Sequence, residues 1–143
     1  MKTDPKARYQ GYSFFFREGF CWNNVLNPNA RLLKTKLKLP TVNDVGSMSL
    51  MSTMVNIPNY YFVILLNSNL LFDYYREFIN CTVNIQINDI RQLPIVIPSE
   101  EQLSEYNMLF QSILHLKQQN APDTEISKIE YKLDQTVLKL YQI

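Results

Sequence analysis

A short apolar run bracketed by two prolines constrains the fold more than any other stretch of this sequence. Residues 93–97 read LPIVI, with Pro94 inside the run and Pro98 directly after it. Because proline has no amide hydrogen to donate to a sheet, the run is expected to be a short edge or terminal strand. Ser99 and Gln102 follow at the spacing of a capping box, which starts a helix. The stretch therefore predicts a rigid elbow that ends a globular body and begins a helix.

Two amphipathic helices are predicted after the elbow. The first has a wide apolar face and stops at Asn120-Ala121-Pro122. The second is expected to begin with Asp123 or Thr124 as its N-cap. Its apolar residues recur at spacings of three and four, which makes a heptad-like seam of Ile126, Ile129, Leu133, Val137 and Leu140. We expect the two helices to form an antiparallel hairpin over residues 99–143.

The residues before the elbow, 1–98, are expected to form an α/β body. Up to residue 57 the chain reads as strands and turns, with β-favouring segments at 12–16 (YSFFF) and 20–22 (FCW). Residues 33–39 (LKTKLKL) alternate from Lys36 onward, and this pattern predicts leucines on a core face and lysines pointing outward.

After Pro58 the apolar spacing becomes helical. One helix is predicted up to Leu66 and a second over residues 70–79, with Asn67-Ser68-Asn69 interrupting or re-capping them. Residues 83–90 read as a strand or an extended loop. The fold class that these patterns predict is α+β: a mixed or antiparallel sheet body with one or two packed helices, followed by the helical hairpin.

Composition and missing motifs argue against an enzyme. The chain has only 3 glycines, and no phosphate-binding, nucleophile-elbow or metalloprotease motif occurs in its 143 residues. Its single histidine, His115, has no ligand partner at a metal-binding spacing, so we expect no cofactor and no metal. Cys21 and Cys81 stand far apart without a CxxC pair, which indicates a reduced, cytosolic protein. No signal peptide and no membrane span is recognisable.

The charge is divided unevenly along the chain. Residues 1–40 contain eight basic and two acidic residues, a net charge of +6, whereas the other 103 contain six basic and eleven acidic ones, a net charge of −5. A basic portion of this kind suits a polyanionic partner, because lysine and arginine neutralise phosphates without reading sequence.

Several stretches, in order, resemble one family. They are 17–22 (REGFCW), 60–71 (YYFVILLNSNLL), 86–98 (QINDIRQLPIVIP) with Glu101-Gln102 after it, and 129–141 (IEYKLDQTVLKLY). Together they are similar to the C-terminal target-recognition (specificity) domain of type II restriction-modification enzymes, in which it is fused to an adenine-specific DNA methyltransferase. The specificity subunits of type I restriction systems share the Pro-bracketed elbow and the helix, so one half of such a subunit is the alternative that this resemblance implies. Since methyltransferase and nuclease motifs are missing, we expect an excised fragment or a stand-alone specificity piece.

The resemblance implies a non-catalytic module of a bacterial restriction-modification system that reads double-stranded DNA. The body would read bases, and the helices would position it against methyltransferase or nuclease domains in the same or a neighbouring chain. Arginine prefers guanine, and asparagine prefers adenine, in the major groove. The candidate DNA-binding residues, by type and expected position, are Arg17, Asn23, Asn24, Asn27, Asn29, Arg31, Lys34, Lys36 and Lys38.

Two other functions remain open from the sequence. The hairpin helices, 100–141, would be the working surface of a protein-interaction module, with the basic portion incidental. An independent nuclease or methyltransferase is the third alternative, and the empty motif search argues against it.

Overall fold

A three-stranded antiparallel sheet forms within residues 19–50. The computed structural model of the protein describes residues 11–44, 46–54 and 56–143. Strand β1 (Gly19–Asn23) lies between β2 (Lys36–Lys38) and β3 (Ser47–Leu50), so the two outer strands are edges. Residue 19 has to be glycine, because a Cβ atom there would lie 2.3 Å from the carbonyl oxygen of Leu50 on β3. The strand predicted around Phe20 is confirmed.

The predicted strand at residues 12–16 is wrong. Tyr12–Phe14 form a single turn of 3₁₀ helix, and Phe16 has a left-handed backbone with φ of 57°. An aromatic-rich segment favours a strand only where a neighbouring strand offers backbone partners, and here the Phe14 amide bonds locally to the Gly11 carbonyl.

In the part of the chain that the structure describes, five α-helices follow the sheet. They are α1 (Asn59–Leu66), α2 (Asn69–Tyr74), α3 (Ile87–Ile90), α4 (Glu100–Gln118) and α5 (Asp123–Leu140), and a π-helical turn (Tyr75–Ile79) extends α2. The predicted break between α1 and α2 is confirmed, with the Ser68 hydroxyl accepting from the Leu71 amide as an N-cap. The capping box of α4 is confirmed at both hydrogen bonds, those between Ser99 and Gln102.

Two local expectations differ from the structure. Ile87–Ile90 form a helical turn and no strand, because the Asp89 carboxylate accepts from the Gln86 amide and closes the turn locally. Helix α5 begins after Pro122, without a side-chain cap from Asp123 or Thr124. Proline presets the backbone angle of a helix start and has no amide to satisfy, so the first turn forms without a cap.

One hydrophobic core joins the sheet to the hairpin. Trp22 of β1 and Tyr61 of α1 are fully buried in it, together with Tyr106 of α4 and Val137 of α5. The rings of Tyr61 and Tyr106 meet edge to face at 5.5 Å between centroids. The fold is therefore α+β, as predicted, and the hairpin packs on the body through the same core.

The elbow, residues 94–99, is extended but forms no strand. Its carbonyls are bonded by tyrosine hydroxyls instead of by a neighbouring strand. Tyr61 donates to the Val96 carbonyl at 2.8 Å, and Tyr141, just after α5, donates to the Pro94 carbonyl. The expected edge strand at residues 93–97 is therefore wrong, since side chains of α1 and the chain end provide the bonds that a strand partner would provide.

The expected alternation of residues 36–39 is also wrong in its burial. Leu37 pairs with Phe20 and lies on the core face, yet it is 38% exposed, and Leu39 is 68% exposed. Lys38, expected to point outward, is only 5% exposed. Because β2 is an edge strand, the core covers its leucines incompletely, while neighbouring backbone covers Lys38 on the other face.

Candidate nucleic-acid interface

Most candidate DNA-binding residues lie at one end of the sheet. Strand β1 ends at Asn23, and β2 begins at Lys36 on its neighbour, where Cys21 pairs with Lys36. The connection between these strands, residues 24–35, therefore leaves and re-enters the sheet at this end. It carries five candidates, Asn24, Asn27, Asn29, Arg31 and Lys34, and two more, Asn23 and Lys36, flank it on the strands.

Buried anchors hold this connection against the body. Leu26 and Leu33 are buried in the core, and the amide of Leu26 donates to the Val83 carbonyl at 2.7 Å. The side chain of Asn67, at the end of α1, accepts from the Thr35 amide at 2.8 Å and donates to the Thr35 carbonyl at 2.9 Å. An anchored segment loses little further conformational freedom on binding, which favours a preorganised contact surface.

The basic segment, residues 31–39, alternates between anchors and exposed cations. Arg31, Lys34 and Lys36 are exposed, whereas Leu33 and Thr35 between them are buried. Lys34 has a left-handed backbone with φ of 54°, and this turn is where the segment bends into β2. The described residues contain no ion pair for any of these three cations. They are therefore available to an anionic partner.

The asparagines differ in how much of their amide is free to read a base. Asn23 is exposed, while Asn24 is half-buried and its backbone bonds to Gly46 and Ile85. The side-chain oxygen of Asn27 accepts from the Asn29 amide at 2.9 Å, a local turn that occupies one acceptor. Asn23 and Asn29 consequently offer the freest amide groups of the set.

Arg17 lies at the opposite end of the sheet, before β1. The intervening strand separates its backbone from Asn23 by about 20 Å at about 3.3 Å per residue. Its guanidinium is 5.7 Å from the ring centroid of Phe14, within cation–π range. The sheet therefore does not bring Arg17 together with the other candidates.

Lys38 is turned into the structure. Its ammonium donates to the carbonyls of Arg17 at 2.7 Å and Thr41 at 2.6 Å, and more weakly to Leu39 at 3.3 Å. These three acceptors use the three hydrogens of the ammonium. Lys38 thereby connects the turn before β1 to the chain after β2. The expected outward position of Lys38 is therefore wrong, and Lys38 does not belong to the candidate interface.

Cys21 lies on the lysine side of the sheet. Burial raises the pKa of its thiol, and the nearby charges of Lys36 and Lys38 act against that rise. A raised pKa keeps the thiol protonated at neutral pH, so it is a weak nucleophile. Within the described ranges both cysteines are free, and no group of three or more histidine, cysteine or acidic side chains is placed to hold a metal ion.

A groove runs between the basic segment and the hairpin, and the sequence did not reveal it. This hairpin groove has a volume of about 1030 Å³. One wall includes Arg31, Lys34 and Lys36, and the opposite wall includes Lys117 and Tyr131. Its apolar lining residues come from β2 and its flanks, α1, α4 and α5: Leu32, Leu37, Leu39, Val63, Ile64, Phe110, Ile113, Leu114 and Leu133. A hint existed in the alternation of residues 36–39, whose leucines lie at the edge of the core.

The seam of α5 is used within the chain. Leu133 and Val137 are buried in the common core, and the Tyr106 hydroxyl of α4 donates to the Thr136 carbonyl at 3.1 Å. The residues that would form a coiled-coil contact with another protein are therefore occupied by the body and by α4.

Among the helices of the described ranges, none has the length and apolar character needed to cross a bilayer. No protein family, no curated protein and no solved structure matches this chain.

Proposed function

We propose that this chain is a non-catalytic module that recognises a target sequence in double-stranded DNA, as part of a restriction-modification system. The observation that carries the proposal is the group of exposed Arg31, Lys34 and Lys36 beside Asn23 and Asn29, on a connection anchored to the core. The likeness of four sequence stretches to restriction-modification specificity domains supports the same function.

The two residue types would divide the work. The cations would contact phosphates and position the sheet end on the duplex, which gives affinity without sequence information. The amide side chains of Asn23 and Asn29 would reach base edges, where an asparagine bonds two atoms of adenine. The elbow and the hairpin would hold this end at a fixed angle to methyltransferase or nuclease domains.

Salt dependence of duplex binding tests the phosphate contacts. The affinity for a labelled duplex, measured by fluorescence anisotropy, should fall steeply as salt rises. Changing Arg31, Lys34 and Lys36 together to Gln should reduce the slope of log affinity against log salt by about 2.7, at about 0.9 per phosphate contact. An affinity that stays flat between low and physiological salt would contradict the proposal.

A matched triple variant controls for net charge. Lys128, Lys132 and Lys139 are exposed on α5, so changing them to Gln removes the same three charges elsewhere. The proposal expects the salt slope of this control to stay within about one phosphate contact of the wild-type slope. Equal losses in the two triple variants would mean that only net charge matters.

Selection from a random duplex library tests sequence reading. The wild-type chain should enrich one short motif, and Asn23→Ala with Asn29→Ala should relax it, because each lost bidentate contact removes about 1–3 kcal/mol of discrimination. Enrichment of no motif would leave a sequence-blind DNA binder and would overturn target recognition.

A further inference from the structure

We infer that the hairpin groove docks an acidic, amphipathic helix of a partner protein. This inference does not rest on DNA recognition, although the two surfaces share the cations of the basic segment.

Three apolar residues on the two walls of the groove are exposed to solvent, above a floor of buried apolar side chains. Leu37 and Leu39 are 38% and 68% exposed, and Tyr131 on the opposite wall is 67% exposed. Single exposed apolar residues are ordinary on a protein surface, but a concave, contiguous set marks a binding site. The volume of about 1030 Å³ lies at the upper end of the range for small-molecule pockets, about 300–1000 Å³.

The charges of the groove select an acidic partner. Arg31, Lys34 and Lys36 on one wall have no ion pair within the described residues. The acidic groups of the groove are already engaged. Glu130 pairs with Lys117 at 3.5 Å, and the Asp134 carboxylate accepts from the amide and side chain of Asn69 at 2.9 and 2.8 Å. The groove lining contains four basic and two acidic residues, so it keeps a net positive charge.

A helix fits this groove better than an added strand does. Strand β2 has only three residues, and the amide of Asn67 already bonds both peptide groups of Thr35, directly before it. Little edge is therefore left for a ladder with an incoming strand. A helix needs no backbone partner. It would place apolar residues at i, i+3, i+4 and i+7 on the floor and Asp or Glu along the cationic wall.

Peptide display on the intact chain tests the predicted chemistry. A library of random 16-residue peptides would be selected on the wild-type chain and counter-selected on the bare support. The recovered peptides should be net negative, with apolar residues at helical spacing. Recovery of basic peptides, of peptides without that spacing, or of none at all would overturn the inference.

Anisotropy with the best recovered peptide then locates the site. Leu37→Gln/Leu39→Gln should weaken peptide binding by at least about tenfold, because both leucines lose buried apolar contact. Met108→Gln is the matched control, since Met108 is 63% exposed on α4 and does not line the groove. Equal binding by the double variant and the wild type would place the peptide elsewhere and overturn the inference.

The same variants keep the two proposals distinguishable. Leu37→Gln/Leu39→Gln changes no charge, so duplex DNA binding should persist while peptide binding is lost. Lys34→Gln/Lys36→Gln should weaken both, by removing charges that either anion uses. If the peptide binds but DNA does not, only the proposed function fails; if DNA binds but the peptide does not, only the docking groove fails.

Discussion

The elbow and the basic segment are both irregular stretches next to a regular element, but they are held in different ways. The elbow is held from outside, by hydroxyls of Tyr61 and Tyr141 on its carbonyls. The basic segment is held mainly by its own side chains, as Leu33, Thr35 and Lys38 reach into the structure, and only the Thr35 peptide groups are bonded by an external side chain, that of Asn67.

This difference separates a structural role from a binding role. When external side chains satisfy a segment, its own residues are free to be apolar, and the elbow becomes a rigid connection to α4. When a segment anchors itself with every second or third residue, the residues between the anchors remain in solvent. Arg31, Lys34 and Lys36 are those residues, which is why the basic segment is the candidate interface.

The largest expected effect breaks the link between the hairpin and the body. Val137→Asp places a charge at a fully buried position of the common core, which should cost about 4–5 kcal/mol or more and unfold the body together with the hairpin. Urea denaturation followed by near-ultraviolet circular dichroism measures it. Met108→Asp, at an exposed position on α4, should leave the transition nearly unchanged. A body that stays folded with Val137→Asp would show that the hairpin is an independent appendage.

The next effect distinguishes two lysines of the same strand. Lys38→Met should destabilise the protein by about 2 kcal/mol, because the carbonyls of Arg17 and Thr41 lose their ammonium donor. Lys36→Met, at an exposed position, should change stability by less than about 0.5 kcal/mol but reduce the salt slope of DNA binding by about 0.9. Thermal melts and anisotropy titrations of both variants measure this reversal, and two equally stable variants would refute the role given to Lys38.

A smaller effect concerns the tyrosines beside the elbow and the hairpin. Burial raises the pKa of Tyr106 to about 12, and it also raises that of Tyr61. Because the unfolded phenol ionises near pH 10, the folded state favours the neutral form. The contribution to stability is complete below about pH 10 and is lost as the pH rises towards 12.

Tyr106→Phe tests this pH dependence. It should cost about 1 kcal/mol at pH 7, through the lost bond to the Thr136 carbonyl, and it should flatten the decline of stability between pH 10 and 12. Denaturant titrations across this pH range measure both quantities. Tyr131→Phe, at an exposed site on α5, should leave the decline as it is, and an unchanged decline with Tyr106→Phe would contradict the assignment.

The smallest effect sharpens the account of the elbow. Ser99→Ala removes the cap of α4 and should cost about 1 kcal/mol, because the Gln102 amide loses its acceptor. Ser104→Ala, at an exposed position inside the same helix, should be neutral or slightly stabilising. Chemical denaturation of the two variants decides, and equal stabilities would mean that the tyrosine bonds alone fix where the helix begins.

Local signals in the sequence predicted the helices well. The capping box at Ser99, the re-capping at Ser68 and the stop before Pro122 involve residues within a few positions of each other, so the sequence contains all that these features need. Strands were harder to predict. The segment at residues 20–22 forms a strand because β2 and β3 provide its backbone partners. Residues 12–16 and 93–97 have no neighbouring strand and form none.

The sequence predicted only part of the candidate site, because residue type is visible in the sequence and burial is not. Residue type and loop position identified Arg31, Lys34 and Lys36, which are exposed, but also Lys38, whose ammonium the fold encloses in carbonyls. The hairpin groove could not be predicted, because its walls come from segments as far apart as residues 31 and 134.

The sequence by itself determined which stretches form the longer helices, which faces of them are apolar, and that the cations are concentrated in residues 1–40. Hydrogen bonds and periodicity over a few residues are sufficient for those features. Only the tertiary structure decided that the elbow is bonded by tyrosines, that Lys38 is buried while Leu39 is exposed, and that cations face an apolar groove. Burial and backbone partners depend on residues distant in the chain, and only packing brings those together.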